Sequence, residues 1–234
     1  MQLSRRNFRA FGAGWQELKA FWREADTIVE MLLKGGTMIA QPHQRYTVAE
    51  YLAQEVAADI RHEYIDGDIL PMTGGTPDHN QILLNLASAL NLRLSQEPYR
   101  VFAADQRLWI PQTRIYTYPD VMVTPGELAY QAGRRDTITN PILIVEVLSA
   151  STSNYDRGGK FAAYRSISSM VEYVLVDQYS AHVEHHVKTG PKQWMLQEYD
   201  GLDATLPFSS LEFSISLHKL YNKIQFEIEA EISE

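Results

Sequence analysis

Cysteine is missing from all 234 residues. Its absence removes a disulfide framework, a thiol nucleophile and every cysteine-ligated zinc or iron–sulfur site. Long apolar runs are missing too, and none approaches the ~18–20 residues that a membrane span needs. Basic charge is in short supply: 21 Lys and Arg stand against 29 Asp and Glu, a net charge of −8. Coating nucleic acid over a whole surface requires a basic field, so that class is excluded. A local basic groove, or carboxylates neutralised by metal ions, is not. There is no Gly-x-Ser-x-Gly step to mark a serine hydrolase. Internal repeats, low-complexity tracts and a Pro/Gly/Ser linker within the core are absent as well. What remains, 45% apolar and 21% charged, is the composition of a soluble globular protein. The length suits one domain with an appendage.

The appendage is at the start. Residues 4–8, Ser-Arg-Arg-Asn-Phe, look like a twin-arginine export signal, but Arg9, Glu17, Lys19, Arg23 and Glu24 interrupt the apolar stretch such a signal needs. Trp15, Leu18, Phe21, Trp22, Ala25, Ile28, Val29 and Leu32 recur at helical spacing, and Gly35-Gly36 ends the pattern. Residues 1–37 therefore read as an amphipathic helical extension and 38–234 as the domain. Lys34-Gly35-Gly36 is also encodable as a purine-rich ribosome-binding sequence just before Met38. On that reading the extension is a start-site artefact.

From Thr47 onward the elements are regular. Thr47-Val48-Ala49-Glu50 forms a capping box for a helix to about Gln54. Two alternating arms around Asp66-Gly67 predict a hairpin over 62–70. Asp78 is placed to cap a helix with the apolar face Ile82, Leu83, Leu86, Leu90 and Leu94. Strands are predicted over 101–110, 120–123 and 142–148, then a helix over 154–166. Strands over 173–177, 182–187, 194–199 and 213–215 and a helix over 218–223 follow. The class is α/β or α+β around a mixed sheet.

The chemistry lies in the carboxylates. Glu146 sits near the end of the apolar run Pro141–Leu148, which reads as a strand covered on both faces. An unpaired ionised carboxylate there costs several kcal/mol, so Glu146 must be protonated, paired with a cation or bound to metal. Asp120 stands at the mouth of a second apolar strand, behind Pro119. Two carboxylates on neighbouring buried strands make a hard, oxygen-only site suited to Mg²⁺ or Mn²⁺. Asp156, Lys160 and Tyr164, at i, i+4 and i+8, share one face of the helix that follows Glu146. That spacing fits a lysine turned back toward the strand end, and it fits an ordinary surface Asp–Lys pair.

These segments in order resemble a known family. "PDV" at 119–121, "EVLSAST" at 146–152 and "YDRGGKFAAYR" at 155–165 are similar to the Uma-two family of restriction-endonuclease-like proteins, within the PD-(D/E)XK nuclease superfamily. "YTVAEYL" at 46–52, "HEYIDGDI" at 62–69 and "PDHNQILLNL" at 77–86 extend the resemblance over roughly Tyr46 to Tyr221. It implies a restriction-endonuclease-like mixed central β-sheet flanked by helices. It also implies that Asp120 and Glu146 are metal ligands, with Glu63 completing the metal shell directly or through water. The superfamily lysine normally stands two residues after the second acid, where this chain has Leu148, so the resemblance passes that role to Lys160. Ala150 replaces a common proline and Gly159 a common acidic residue. Two adjacent glycines are expected to loosen the first turn of the Lys160 helix.

Other residues carry less. His79, at a helix start, is either a group supporting the metal ligands or a structural hydrogen-bonder. His182 and His186 share a strand face and His185 points away, which reads as a solvated strand. Gly74-Gly75 reads as a turn, and Arg134-Arg135 as a loop. The leading expectation is a cytoplasmic, Mg²⁺- or Mn²⁺-dependent endonuclease acting on DNA, with Asp120, Glu146, Lys160 and Glu63 as catalytic groups. Because the chain is acidic, a homodimer is expected to gather Arg100, Arg107, Arg157 and Arg165 beside the cleft. The alternatives are a non-catalytic binding or assembly module retaining the fold, and a glycosidase using the two carboxylates as acid and base.

Overall fold

The structure is a computed structural model that describes residues 44–72 and 74–226. The extension expected over 1–37 lies outside the described residues. Helix α1 (Val48–Ala57) starts as expected. The Thr47 hydroxyl accepts from the Glu50 N–H and the Glu50 carboxylate accepts from the Thr47 N–H, 2.7 Å away. Strands β1 (His62–Ile65) and β2 (Asp68–Pro71) form the expected hairpin. Asp66 and Gly67 both adopt positive φ at its tip, the geometry that selects Asp-Gly there. Helix α2 (Pro77–Arg93) begins one step earlier than expected. Thr76, not Asp78, is the N-cap, because Pro77 fits the first helical position and places Asp78 in the first turn.

The strand expected over 101–110 is two strands. β3 (Tyr99–Ala103) and β4 (Arg107–Ile110) belong to different sheets. The chain turns between them at Ala104, which takes a left-handed φ of 56° and donates its N–H to the Asp120 carbonyl. The sheet containing β4 is a second sheet, beyond the single mixed sheet that the sequence pattern implies. β5 (Ile115–Thr117) and β7 (Thr137–Ile138), both too short for a visible alternation, join it in the order β2-β1-β5-β4-β7. Tyr51, Tyr64 and Tyr116 fill its core, with ring centroids 5.1–6.0 Å apart.

The larger sheet is built on β6 (Val121–Pro125), β8 (Leu143–Leu148), β9 (Glu172–Asp177), β10 (His182–Gly190) and β11 (Gln193–Asp200). Its order is β11-β10-β9-β8-β6-β3, with β8 and β9 parallel and the other pairs antiparallel. The fold is mixed α+β, as the sequence pattern requires. Ile82, Leu86 and Leu90 of α2, with Leu94 at its C-cap, share one core with Val121, Val123, Val145 and Val147. Each such buried side chain contributes about 1.5–3 kcal/mol. Because side chains alternate across a strand, packing Val145 and Val147 under α2 turns Glu146 to the opposite face. A small hairpin, β12 (Thr205–Phe208) with β13 (Phe213–Ser216), and a short helix α5 (Leu217–Leu220) are the last elements among the described residues. Between them and β8 run α3 (Ser153–Tyr155), a π-helical turn (Asp156–Lys160) and α4 (Phe161–Tyr164).

His185 is not part of a solvated face. It is 1% exposed, with Nε2 3.7 Å from Glu172 Oε2, because β10 is an interior strand whose odd-numbered side chains face the core. His182, on the opposite face, pairs with Asp200 at 2.7 Å.

Candidate active site

The register of β6 against β8 pairs Val121 with Val145, so Asp120 stands at the level of Glu146 one step outside the ladder. The Val147 N–H donates to Asp120 Oδ2 at 2.7 Å, which ties the two carboxylate-bearing segments together. Glu146 is 3% exposed, inside a strand buried along its whole length. Tyr164 donates its hydroxyl to Glu146 Oε1 at 2.6 Å. Lys160 Nζ lies 3.2 Å from the same oxygen, 3.1 Å from Asp156 Oδ1 and 3.8 Å from Glu63 Oε1. The expected lysine thus faces Glu146 from the following helix, but Asp120 is not among its ion-pair partners. Asp120 is taken instead by Val147 N–H and by His79 Nε2, at 3.1 Å.

The Asp156–Lys160 pair is no surface pair, since Asp156 is 2% exposed. Glu63 arrives from the smaller sheet, where the Thr117 hydroxyl donates to its Oε1. The two glycines do more than loosen a turn. Residues 156–160 wind as a π-helix, and a Cβ on Gly159 would collide with the Tyr155 ring, whereas one on Gly158 would meet nothing within 4 Å. Single π-turns insert an extra residue and re-aim the side chains beyond them. Gly159→Ala is therefore expected to cost about 1–3 kcal/mol through overpacking, read as a lowered melting temperature. Gly158→Ala is the near-neutral control.

Burial pushes the Glu146 carboxyl up to about 8; Lys160 opposes the shift, while Asp120 and Asp156 reinforce it. For Lys160, burial favours the neutral amine, but Glu146, Asp156 and Glu63 outweigh it and hold the ammonium charged well beyond the ordinary lysine range. Burial likewise pulls His79 down, and the hydrogen bond and charge of Asp120 more than reverse it. Glu63, Asp120, Glu146 and Asp156 thus set four acids against one lysine and one histidine. A divalent cation relieves this crowding of acidic groups, and its charge favours the ionised form of Glu146. Among the described residues, no three His, Asp or Glu side chains are gathered into a ready-made metal cage.

Arg107 does not line a cleft. It is 6% exposed and held by Asp136 at 2.7 Å and by Thr137. Arg157 pairs with Glu184 at 2.6 Å, Arg165 lies over the Phe161 ring, and Arg100 is exposed on β3. Arg134 is bound to Asp136. Of the residues around the acids, Thr117 and Gln178 carried no sequence signal, because each acts through hydrogen bonds to residues far along the chain.

A family model described as "Putative restriction endonuclease", Uma2, matches residues 48–218. The chain belongs to the Uma2 family. Two proteins of Synechocystis sp. (strain ATCC 27184 / PCC 6803 / Kazusa), both named as uncharacterized, are similar to it. One, sll1609, is 39% identical over 175 residues, covering 75% of this chain and 99% of its own. The other, slr1290, is 33% identical over 187 residues, covering 79% and 96%. A solved structure from Anabaena variabilis ATCC 29413, described as "a putative nuclease belonging to DUF820", aligns with a TM-score of 0.61 at 20% identity. It covers 75% of this chain and 97% of that chain, and it shows the shared fold. The restriction-endonuclease-like class expected from the motifs is borne out. Among the described residues no helix is long and apolar enough to cross a membrane.

Proposed function

We propose that this Uma2 protein is an endonuclease that hydrolyses DNA phosphodiester bonds with a divalent cation, Mg²⁺ or Mn²⁺, at Asp120 and Glu146. The observation that carries the reading is Lys160, whose ammonium lies 3.2 Å from Glu146 in a pocket that already holds more acids than it can neutralise. The donor set fits the ion. Both ligands offer hard carboxylate oxygens, one on β8 and one just before β6, and Mg²⁺ is commonly bound by one or two carboxylates, with water and substrate phosphate filling the other positions. A third protein ligand is therefore not required, and Glu63 would act through water or through Lys160. Bound there, the cation would supply Lewis-acid polarisation of the phosphate and a more acidic water.

The side chains have separate tasks. Glu146 is fixed by the Tyr164 hydroxyl, which burial and the neighbouring carboxylate keep protonated and donating. Asp156 and Glu63 hold the Lys160 ammonium in place, so that it meets charge gained by the phosphate, or orients the attacking water, without reorganising. The glycosidase alternative uses carboxylates alone and leaves Lys160 without a part.

Calorimetry with Mn²⁺, beside plasmid cleavage, tests the proposal. Wild type is expected to bind the ion and to cut only in its presence, and Asp120→Ala/Glu146→Ala to do neither. Cleavage surviving in the double variant would overturn the assignment. A wild type without Mn²⁺ binding would favour the non-catalytic module.

A further inference from the structure

The two oxygens of Asp120 are not equivalent. Oδ2 accepts the Val147 N–H at 2.7 Å and lies 3.1 Å from His79 Nε2. Among the described residues no hydrogen bond reaches Oδ1. His79 is delivered to this place by a chain of local constraints. The Thr76 hydroxyl caps α2 by accepting the His79 N–H at 3.1 Å and donates in turn to Gln178 Oε1 at 2.5 Å. Gln178, which is buried, donates to the Leu148 carbonyl at 2.6 Å. The start of α2 is thereby stapled to the end of the strand that carries Glu146. Gly75 completes the seat, since a Cβ there would stand 2.7 Å from His79 Nδ1 and 2.9 Å from Cγ. Among the described residues, the ring's Nδ1 is buried without a hydrogen-bond partner. Native folds rarely tolerate that without a compensating role for the group.

We infer that His79 is a positioning residue for Asp120: it holds the carboxylate by Oδ2 and presents Oδ1 to the cation. The inference rests on the reading of Asp120 as a cation ligand. Groups that orient a metal ligand in this way typically change metal affinity 10–100-fold when removed. A histidine that only steadied the helix start would change stability and leave the ion unaffected.

The test is calorimetry of the full chain with Mn²⁺ alone, beside metal-free melting curves. His79→Ala is expected to weaken Mn²⁺ binding by about 10–100-fold. His79→Gln, whose amide N–H can reach the same oxygen, should recover most of the loss. Gly75→Ala keeps the histidine but crowds its ring, and should weaken Mn²⁺ in the same direction. Unchanged affinity in His79→Ala would overturn the inference while leaving Asp120 as a ligand. So would tighter binding, the result expected if the imidazole only competed with the ion as a counter-charge. If His79→Ala does not fold, equal affinity in wild type, His79→Gln and Gly75→Ala overturns it. A wild type that binds no Mn²⁺ removes the ligand reading of Asp120, and this inference with it.

Discussion

Glu146→Gln is expected to abolish Mg²⁺- or Mn²⁺-dependent cleavage and, without metal, to leave the protein as stable as wild type or more so. The substitution is nearly isosteric and keeps an acceptor for the Tyr164 hydroxyl, so packing is preserved. It removes a charge that burial and two neighbouring acids make unfavourable even beside Lys160. Lys160 keeps Asp156 and Glu63 as partners. The direction with pH follows from linkage. The carboxyl titrates near 8 when folded, against 4.5 ordinarily, so between those values the folded state holds a proton that the unfolded state has lost. Wild-type stability therefore falls as pH rises through this window. The variant has no such loss, and its advantage should grow from about pH 5 to pH 8. Metal-free melting curves across that range measure it. A variant that melts well below wild type at every pH would make Glu146 part of a structural ion pair.

Lys160→Ala should have the opposite signature: much of the rate lost, the ion retained. Removing the ammonium leaves Glu146 and Asp156 buried without their cation, a change that typically costs about 3–5 kcal/mol in metal-free buffer. Added Mn²⁺ should restore part of that stability, since the ion supplies positive charge to the same acids. Its affinity should be equal or higher, because a competing cation is gone. Cleavage should fall by roughly 10²–10³, the loss found when one preorganised charge aimed at a transition state is removed. Lys160→Arg should rescue poorly. A planar guanidinium is too large for a site where the ammonium sits 3.1–3.8 Å from three carboxylates. Mn²⁺ calorimetry and single-turnover cleavage separate the two effects. Full activity in Lys160→Ala would reduce the lysine to a structural counter-ion.

Short-range chemistry was readable from the residues alone. The Thr47–Glu50 capping box, the Asp66-Gly67 hairpin and the α2 stripe from Ile82 to Leu94 each depend on neighbours within a few positions. The apolar run around Glu146 announced a strand buried on both faces and a carboxylate in need of a partner. Long-range placement was decided by the tertiary structure. Strands β3 and β4 look like one run until the turn at Ala104 sends them to different sheets, and the smaller sheet then carries Glu63 to Lys160. The spacing of Asp156, Lys160 and Tyr164 suits an exposed face as well as a buried one. The packing of β8 against β9, which puts Glu146 beneath this helix, makes it the buried one. The pairing of His79 with Asp120 likewise depends on α2 being stapled through Gln178 to a strand far along the chain. Local pattern fixes what each residue can offer, and only the order of strands determines which charges share a low-dielectric pocket, where their energies become large.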